Sequence, residues 1–421
     1  YLVSLLENEL KLKKNSKKAL IGINFSMVHL LTANYGFQYT QNLIKKAAEA
    51  LSQHCADNRI LFKANENSFI FYLFDYKDKN ELIDFSKAIV DTLQPIFVTE
   101  RIGGSIGILE IGQNQNEMSV ESLLRKLLVA SERSVSLFGK DFEIYFYDEK
   151  LEDLINREID IVEALDAIAM DKQTNDEFFL QYQPIIDLRT CSVFGFEALA
   201  RLRTEKLGIV SPLEFIPIAE KTKLILPVGE KVIIKAFRFL KKLKEHGYDD
   251  IRVSINISVI QLLKPDFTSR LFELINKMQV NPRNIAIEIT ETEFASDFDS
   301  INSIIEELKE AGLHIAIDDF GTGYSTLYRE TKLIADYMKI DKYFVDRLLD
   351  INLNKAITGD IISISHKLGH SAIAEGVENH IQLRYLKEHG CDKVQGFLIS
   401  KPLDEEDAIE FLKRHNKHVC S

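Results

Sequence analysis

In the second half of the chain, carboxylates, amides and a lysine recur where short apolar runs end. Glu197 ends the run at 193–199, Asn256 the run at 252–257 and Glu288 the run at 284–289. The adjacent Asp318 and Asp319 close 314–317, Lys339 lies in 337–340, Glu375 follows 371–374 and Gln395 follows 393–394. Singly, such residues cap helices or face solvent. Brought together, the five carboxylates repel one another unless cations lie among them. Hard oxygen donors of this kind suit Mg2+ or Mn2+ rather than zinc. The aspartate pair adds a second point. Consecutive strand residues face opposite ways, but at a strand end both can turn to one site, and one can bridge two metals. Two metals roughly 3.5–4 Å apart activate a water and steady both oxygens of a displacement at a phosphodiester. The following Gly321-Thr322-Gly323 permits a tight turn close to a ligand.

Something must bring those positions to one place. The runs at 178–183, 193–199, 252–257, 284–289, 314–317, 337–340, 371–374 and 393–394 read as strands separated by helical stretches. Eight strands alternating with helices over about 245 residues predict a (β/α)8 TIM-like barrel, which gathers its strand ends at one functional face. The later runs are continuously apolar, as in strands buried on both faces.

The first 147 residues have another rhythm and predict a separate α/β domain. Strands are expected at 19–25, 60–63, 69–74, 103–111 and 143–147, with helices at 2–12, 41–54, 80–93 and 119–137. Apolar residues at helical spacing then predict a connecting helix over 148–171, before a barrel domain at 172–421. A net charge of −12 argues against a nucleic-acid polymer as partner. The four cysteines, Cys55, Cys191, Cys391 and Cys420, form no paired motif, which favours a reducing cytoplasm. No apolar run approaches the roughly 20 residues of a membrane span. The chain begins at Tyr1, which leaves room for an upstream sensor or membrane segment.

The barrel half resembles the EAL family of cyclic-di-GMP phosphodiesterases. The resemblance rests on Tyr182-Gln183-Pro184-Ile185, Glu197-Ala198-Leu199 with Arg201, Asn256 in Ser254-Ile255-Asn256-Ile257-Ser258, and Glu288-Ile289-Thr290-Glu291. It continues through Asp318-Asp319-Phe320-Gly321-Thr322-Gly323, Lys339-Ile340-Asp341, Glu375-Gly376-Val377-Glu378 and Gln395-Gly396-Phe397. It implies that Glu197, Asn256, Glu288 and Asp318 hold one Mg2+ or Mn2+, and that Asp318, Asp319 and Glu375 hold or orient a second and its water. Lys339 would position that water with support from Gln395, while Glu291 braces the loop after the fourth strand. Gln183, Leu199 and Arg201 would contact substrate. The implied reaction is hydrolysis of cyclic-di-GMP to linear pGpG by a homodimer; the alternative is a catalytically silent cyclic-di-GMP receptor.

The first half resembles a GGDEF domain, a nucleotidyl-cyclase-like fold, without its chemistry. The signature reads Asn65-Glu66-Asn67-Ser68-Phe69, and the first-strand metal aspartates appear as Asn24 and Ser26. Without carboxylates to hold a metal, this half is expected to regulate or dimerise rather than make cyclic-di-GMP.

Overall fold

The parallel strands of the second half alternate between two destinations, and that alternation builds the site. The computed structural model describes residues 2–11, 17–25, 28, 32, 36–65, 67–97, 103–111, 119–132, 142–291, 298–321, 334–350 and 356–415. Ser26, Glu66, Thr322 and Gly323 lie outside them. The chain forms two units, Tyr1–Asn156 and Arg157–Ser421.

In the first unit the elements run α1 (Leu2–Lys11), β1 (Lys18–Phe25), α2 (Phe37–Ser52), β2 (Arg59–Asn65), β3 (Ser68–Phe74), α3 (Lys79–Phe97), β4 (Gly104–Ile111), α4 (Val120–Glu132) and β5 (Phe142–Phe146). The sheet order is β2-β3-β1-β4-β5. All eight residues of central β1 are buried, because both faces are covered. Ala19, Ile21, Ile23 and Phe25 pack with Leu43, Ala47, Leu82 and Ile89 of α2 and α3. Leu20 and Tyr72 pack with Leu6, Leu123 and Leu127 of α1 and α4. Gly22 pairs with Gly107 across β1 and β4. A Cβ on Gly107 would lie 2.5 Å from the Ser131 backbone nitrogen, so the glycine is what lets α4 approach the sheet.

Helix α5 (Glu149–Ala169) leads on to β6 (Glu177–Asp187), β7 (Ser192–Thr204), β8 (Gly208–Val210), α6 (Pro212–Lys221), α7 (Ile225–Glu245) and β9 (Arg252–Asn256). Next come α8 (Val259–Leu262), α9 (Phe267–Met278), β10 (Ile285–Thr290), α10 (Phe298–Glu310), β11 (His314–Phe320) and β12 (Tyr337–Ile340). The chain finishes with α11 (Lys342–Asp350), α12 (Thr358–Lys367), β13 (Ser371–Ala374), α13 (His380–Glu388), β14 (Lys393–Val394) and α14 (Glu405–His415). The order β6-β14-β13-β12-β11-β10-β9-β7 closes through β6–β7 into an eight-stranded barrel, with β8 appended to β7.

Two expectations need correction. The first strand is not parallel to the rest: β6 runs antiparallel to both β7 and β14. A tight turn replaces the crossover helix, held by Asp187 Oδ1, which accepts from the backbone N–H groups of Arg189 and Thr190 at 3.0 and 2.8 Å. A parallel return would have needed a dozen or more connecting residues. Nor does Glu197 end its strand, since β7 continues to Thr204, where its last residues pair with β6 and β8.

Outward strand residues, among them Val253, Ile255, Ile285, Ile287, Ile289, Ile315, Ile317, Met338 and Ile340, join the buried layer beneath the helices. The alternate residues face the barrel interior. Its lower part packs Ile185, Ala316, Tyr337 and Ile373. One step of two residues upward from Ala316, Tyr337 and Ile373 gives Asp318, Lys339 and Glu375.

Asp336, just before β12, pins the lower rim. Its carboxylate accepts from the Ile315 N–H and Lys309 Nζ, both at 2.8 Å. Burial pushes the group up, but hydrogen bonds from His314, Lys309 and Ile315 outweigh it and hold the pKa at about 2. A carboxyl depressed on folding stabilises above its unfolded pKa and loses that contribution as pH falls through the folded value. Asp336→Asn is therefore expected to lower stability by about 2 kcal/mol at pH 7. Urea denaturation should show the gap closing between pH 4 and pH 2; a gap unchanged over that range would contradict the assignment.

Candidate active site

Lys339 is the centre of the site because interior alternation leaves its ammonium no route to water. The residue is 0% exposed. Its Nζ lies 2.5 Å from Glu288 Oε2, 2.6 Å from Glu375 Oε1, 3.2 Å from Asp318 Oδ2 and 3.5 Å from Glu197 Oε2. Four strands thus supply four carboxyls to one cation.

Amides complete the ring. Asn256, the last residue of β9, donates Nδ2 to Glu197 Oε1 at 2.7 Å. Gln395, just past β14, donates Nε2 to Glu197 Oε2 at 2.7 Å and to Gln183 Oε1 at 2.9 Å. Gln183 donates in turn to the Ser400 carbonyl at 3.1 Å.

Asp318 and Asp319 solve the alternation problem by a backbone irregularity. The β11–β12 register slips between Ile317 and Phe320, and Asp319 has φ of 55°. A left-handed aspartate costs roughly 1–2 kcal/mol. With it, Asp318, Asp319 and Glu375 offer oxygens all within 4.8 Å of one another, and Glu197, Glu288 and Asp318 form a second such group. Asp318 belongs to both.

One ammonium cannot neutralise this many carboxyls. Burial, with repulsion from Glu197 and Asp318, pushes Glu288 up to about 8 despite Lys339. Burial likewise drives Glu375 well above the carboxylate range. Burial, Asp318 and Asp341 raise Asp319 to about 6. Burial would raise Glu197 too, but Lys339 and the two amides overcome it and hold it low. Lys339 stays charged because the surrounding carboxylates outweigh its burial. In this form the cluster balances its charge by taking up protons, which a divalent cation would displace.

The donor set fits such a cation. Glu288 Oε1 and Gln395 Oε1 are buried without a hydrogen-bond donor among the described residues, and a cation satisfies lone pairs of this kind. The available ligands are carboxylate and amide oxygens, with no thiol or imidazole in either group.

Other expected residues stand around this centre. Glu291, one residue after β10, accepts from the Gly321 N–H at 2.8 Å and so ties the ends of β10 and β11. Leu199 and Arg201 lie on the interior face of β7, opposite Gln181 and Phe179. Arg201 Nε donates to Gln181 Oε1 at 2.9 Å and Nη1 to the Ala200 carbonyl at 3.0 Å. Two further residues join the site: Asp341, quoted above in a motif but given no role, whose carboxyl hydrogen-bonds Asp319, and Gln181. Both were available from spacing: Asp341 is two residues beyond Lys339, and Gln181 two before Gln183.

The EAL domain family matches residues 166–402, more than half of the chain. The chain belongs to the EAL family. Signaling protein YkoW of Bacillus subtilis is 31% identical over 98% of this EAL chain and 51% of its own length. Probable cyclic di-GMP phosphodiesterase PdeB of Escherichia coli is 39% identical over 57% of this chain and 46% of its own length. A solved structure of PaMucR phosphodiesterase in complex with c-di-GMP superposes with a TM-score of 0.55. It is 31% identical and covers 59% of this chain and 99% of that one. This EAL chain spans about half the length of the curated relatives it matches. No helix among the described residues is long and apolar enough to cross a membrane.

Proposed function

We propose that the barrel unit hydrolyses cyclic-di-GMP to linear pGpG with Mg2+ or Mn2+. The observation that carries this reading is the shared Asp318, which joins two oxygen-donor groups around one buried ammonium. Family membership supplies the substrate class, and relatives named for this phosphodiester support it.

Glu197, Asn256, Glu288 and Asp318 would hold one cation, and Asp318, Asp319 and Glu375 the other. Bound there, the metals supply Lewis-acid stabilisation of phosphoryl oxygens and a more acidic attacking water. The protein's own residues do the rest. Lys339 balances the carboxylates and places positive charge beside the reacting phosphate. Glu375 would take the proton of the attacking water as the general base. Gln395 and Asn256 fix the Glu197 carboxylate, and Glu291 fixes the Gly321 turn. Gln183, Leu199 and Arg201 line the interior face where the dinucleotide would lie. Interior burial limits the water that competes for these groups.

Chelator-treated protein should gain thermal stability when Mg2+ or Mn2+ is added, by about 2.7 kcal/mol at a hundred times the dissociation constant. Glu288→Ala should abolish most of that gain in a thermal shift assay; an undiminished gain would place the cation elsewhere. For the function itself, chromatography of the reaction should show pGpG as product. Tight cyclic-di-GMP binding without turnover would favour a receptor.

The first unit is read as a GGDEF-like module that regulates or dimerises the enzyme. Asn67 Nδ2 donates to buried Asn24 Oδ1 at 3.1 Å; on the GGDEF-like reading, these neutral amides would stand in for metal-binding carboxylates of a cyclase. Replacing residues 1–147 with an unrelated dimeric domain should change the hydrolysis rate; an identical rate would reduce this unit to a spacer. The protein is read as cytoplasmic, or as the cytoplasmic part of a longer chain.

A further inference from the structure

Beyond β14 the barrel edge is completed by a segment that belongs to no strand. Strand β14 pairs with β6 only at Ile186 and Asp187, which leaves the outer edge of Tyr182 without a strand partner on that side. Leu403 fills it: the Tyr182 N–H donates to the Leu403 carbonyl at 2.7 Å, and the Leu403 N–H returns to the Tyr182 carbonyl at 2.9 Å. Asp404 is thereby held beside Gln181 and accepts from Gln181 Nε2 at 3.1 Å.

Gln181 passes this fixation on. In the antiparallel β6–β7 pair, Gln183 faces Glu197, Gln181 faces Leu199 and Phe179 faces Arg201, so all six share one face of the ribbon. Arg201 is a diagonal neighbour of Gln181, within reach of a long side chain. The Gln181 amide has two ends and uses both, since its Nε2 is held by Asp404 and its Oε1 accepts from Arg201 Nε. The Asp404 contact therefore sets which way the amide points. A flipped amide would present N–H to the guanidinium and lose the bond. Arg201 Nη1 is occupied by the Ala200 carbonyl, and Nη2 has no partner among the described residues.

We propose that Asp404 and Gln181 form a positioning relay that orients the Arg201 guanidinium for the substrate. Asp404 lies just outside residues 166–402, the part of the chain that the family matches. The inference rests on Arg201 touching cyclic-di-GMP, as proposed above. Neither relay residue touches the carboxylate cluster, so the relay acts on binding and leaves the chemical step alone.

The test is steady-state hydrolysis of cyclic-di-GMP by the full chain with Mn2+. Gln181→Leu is expected to raise KM about five- to tenfold with kcat within about twofold, the upper part of the range for one lost hydrogen bond. Asp404→Ala, an exposed position, should raise KM about threefold. Asp404→Asn keeps the accepting oxygen and should restore near wild-type KM. In an Arg201→Ala background, Gln181→Leu should add nothing further. An unchanged KM for Gln181→Leu, an equal loss with and without Arg201, or a fall in kcat instead of a rise in KM would overturn the relay alone. A wild-type chain that neither binds nor hydrolyses cyclic-di-GMP would overturn the functional reading, and the relay with it.

Discussion

Lys339→Met is expected to lower kcat for cyclic-di-GMP at least about a hundredfold and to destabilise the metal-free protein by roughly 3–5 kcal/mol. The ammonium is fully buried and within 3.5 Å of four carboxyls. Removing it leaves Glu197, Glu288, Asp318 and Glu375 facing one another with only protons to relieve them. The pH dependence follows. A carboxyl whose folded pKa is raised favours folding at low pH and loses that contribution as pH rises through the folded value. Burial and neighbouring carboxylates already push Glu288 to about 8, and loss of the ammonium raises it further. The deficit should therefore widen from pH 5.5 to pH 8 in urea denaturation of chelator-treated proteins, and added Mn2+ should narrow it. Equal stability of mutant and wild type across that range would show that Lys339 does not hold the carboxylates together.

Glu375→Gln should cost about 10²–10⁴ in kcat and leave KM within about threefold. The backbone at this position is firmly placed. Its N–H donates to the Ile340 carbonyl at 3.1 Å, and Gly376 follows at φ of 64°, where any Cβ would collide with Lys342. Glutamine keeps the size and the contact to Lys339 but cannot accept the proton of water. A kcat close to wild type with a much raised KM would make Glu375 a binding group and move the base elsewhere.

Much of this site was legible because a period of two governs strands. Once the apolar runs were read as barrel strands, their polar members fell at matched positions, and the residues two steps above the inner layer became Asp318, Lys339 and Glu375. Asp318 and Asp319 were harder. Their types announced a shared site, yet regular alternation would have separated them; the register slip and left-handed Asp319 are tertiary events with no local signal beyond a short aspartate. The direction of β6 was missed for another reason. Apolar runs carry no polarity, and only the short turn at 188–191 betrays an antiparallel return. Glu197 was placed at a strand end because Arg201 and Arg203 break the apolar run, and only pairing with β6 and the three-residue β8 carries β7 on to Thr204. The link from Gln181 to Asp404 carries no local signal, since the two lie 223 residues apart.

The most direct test of the barrel's chemistry is the rate of cyclic-di-GMP hydrolysis by purified wild-type protein and Glu197→Ala, with Mg2+ or Mn2+ and with a chelator. Glu197 meets Lys339, Asn256 and Gln395 at once, so its loss should disturb the cation site without touching the proposed base. Metal-dependent conversion to pGpG by wild type, lost in Glu197→Ala and in chelator, is the expected result. Turnover that survives either the substitution or the chelator would contradict a metal-dependent phosphodiesterase built on this cluster.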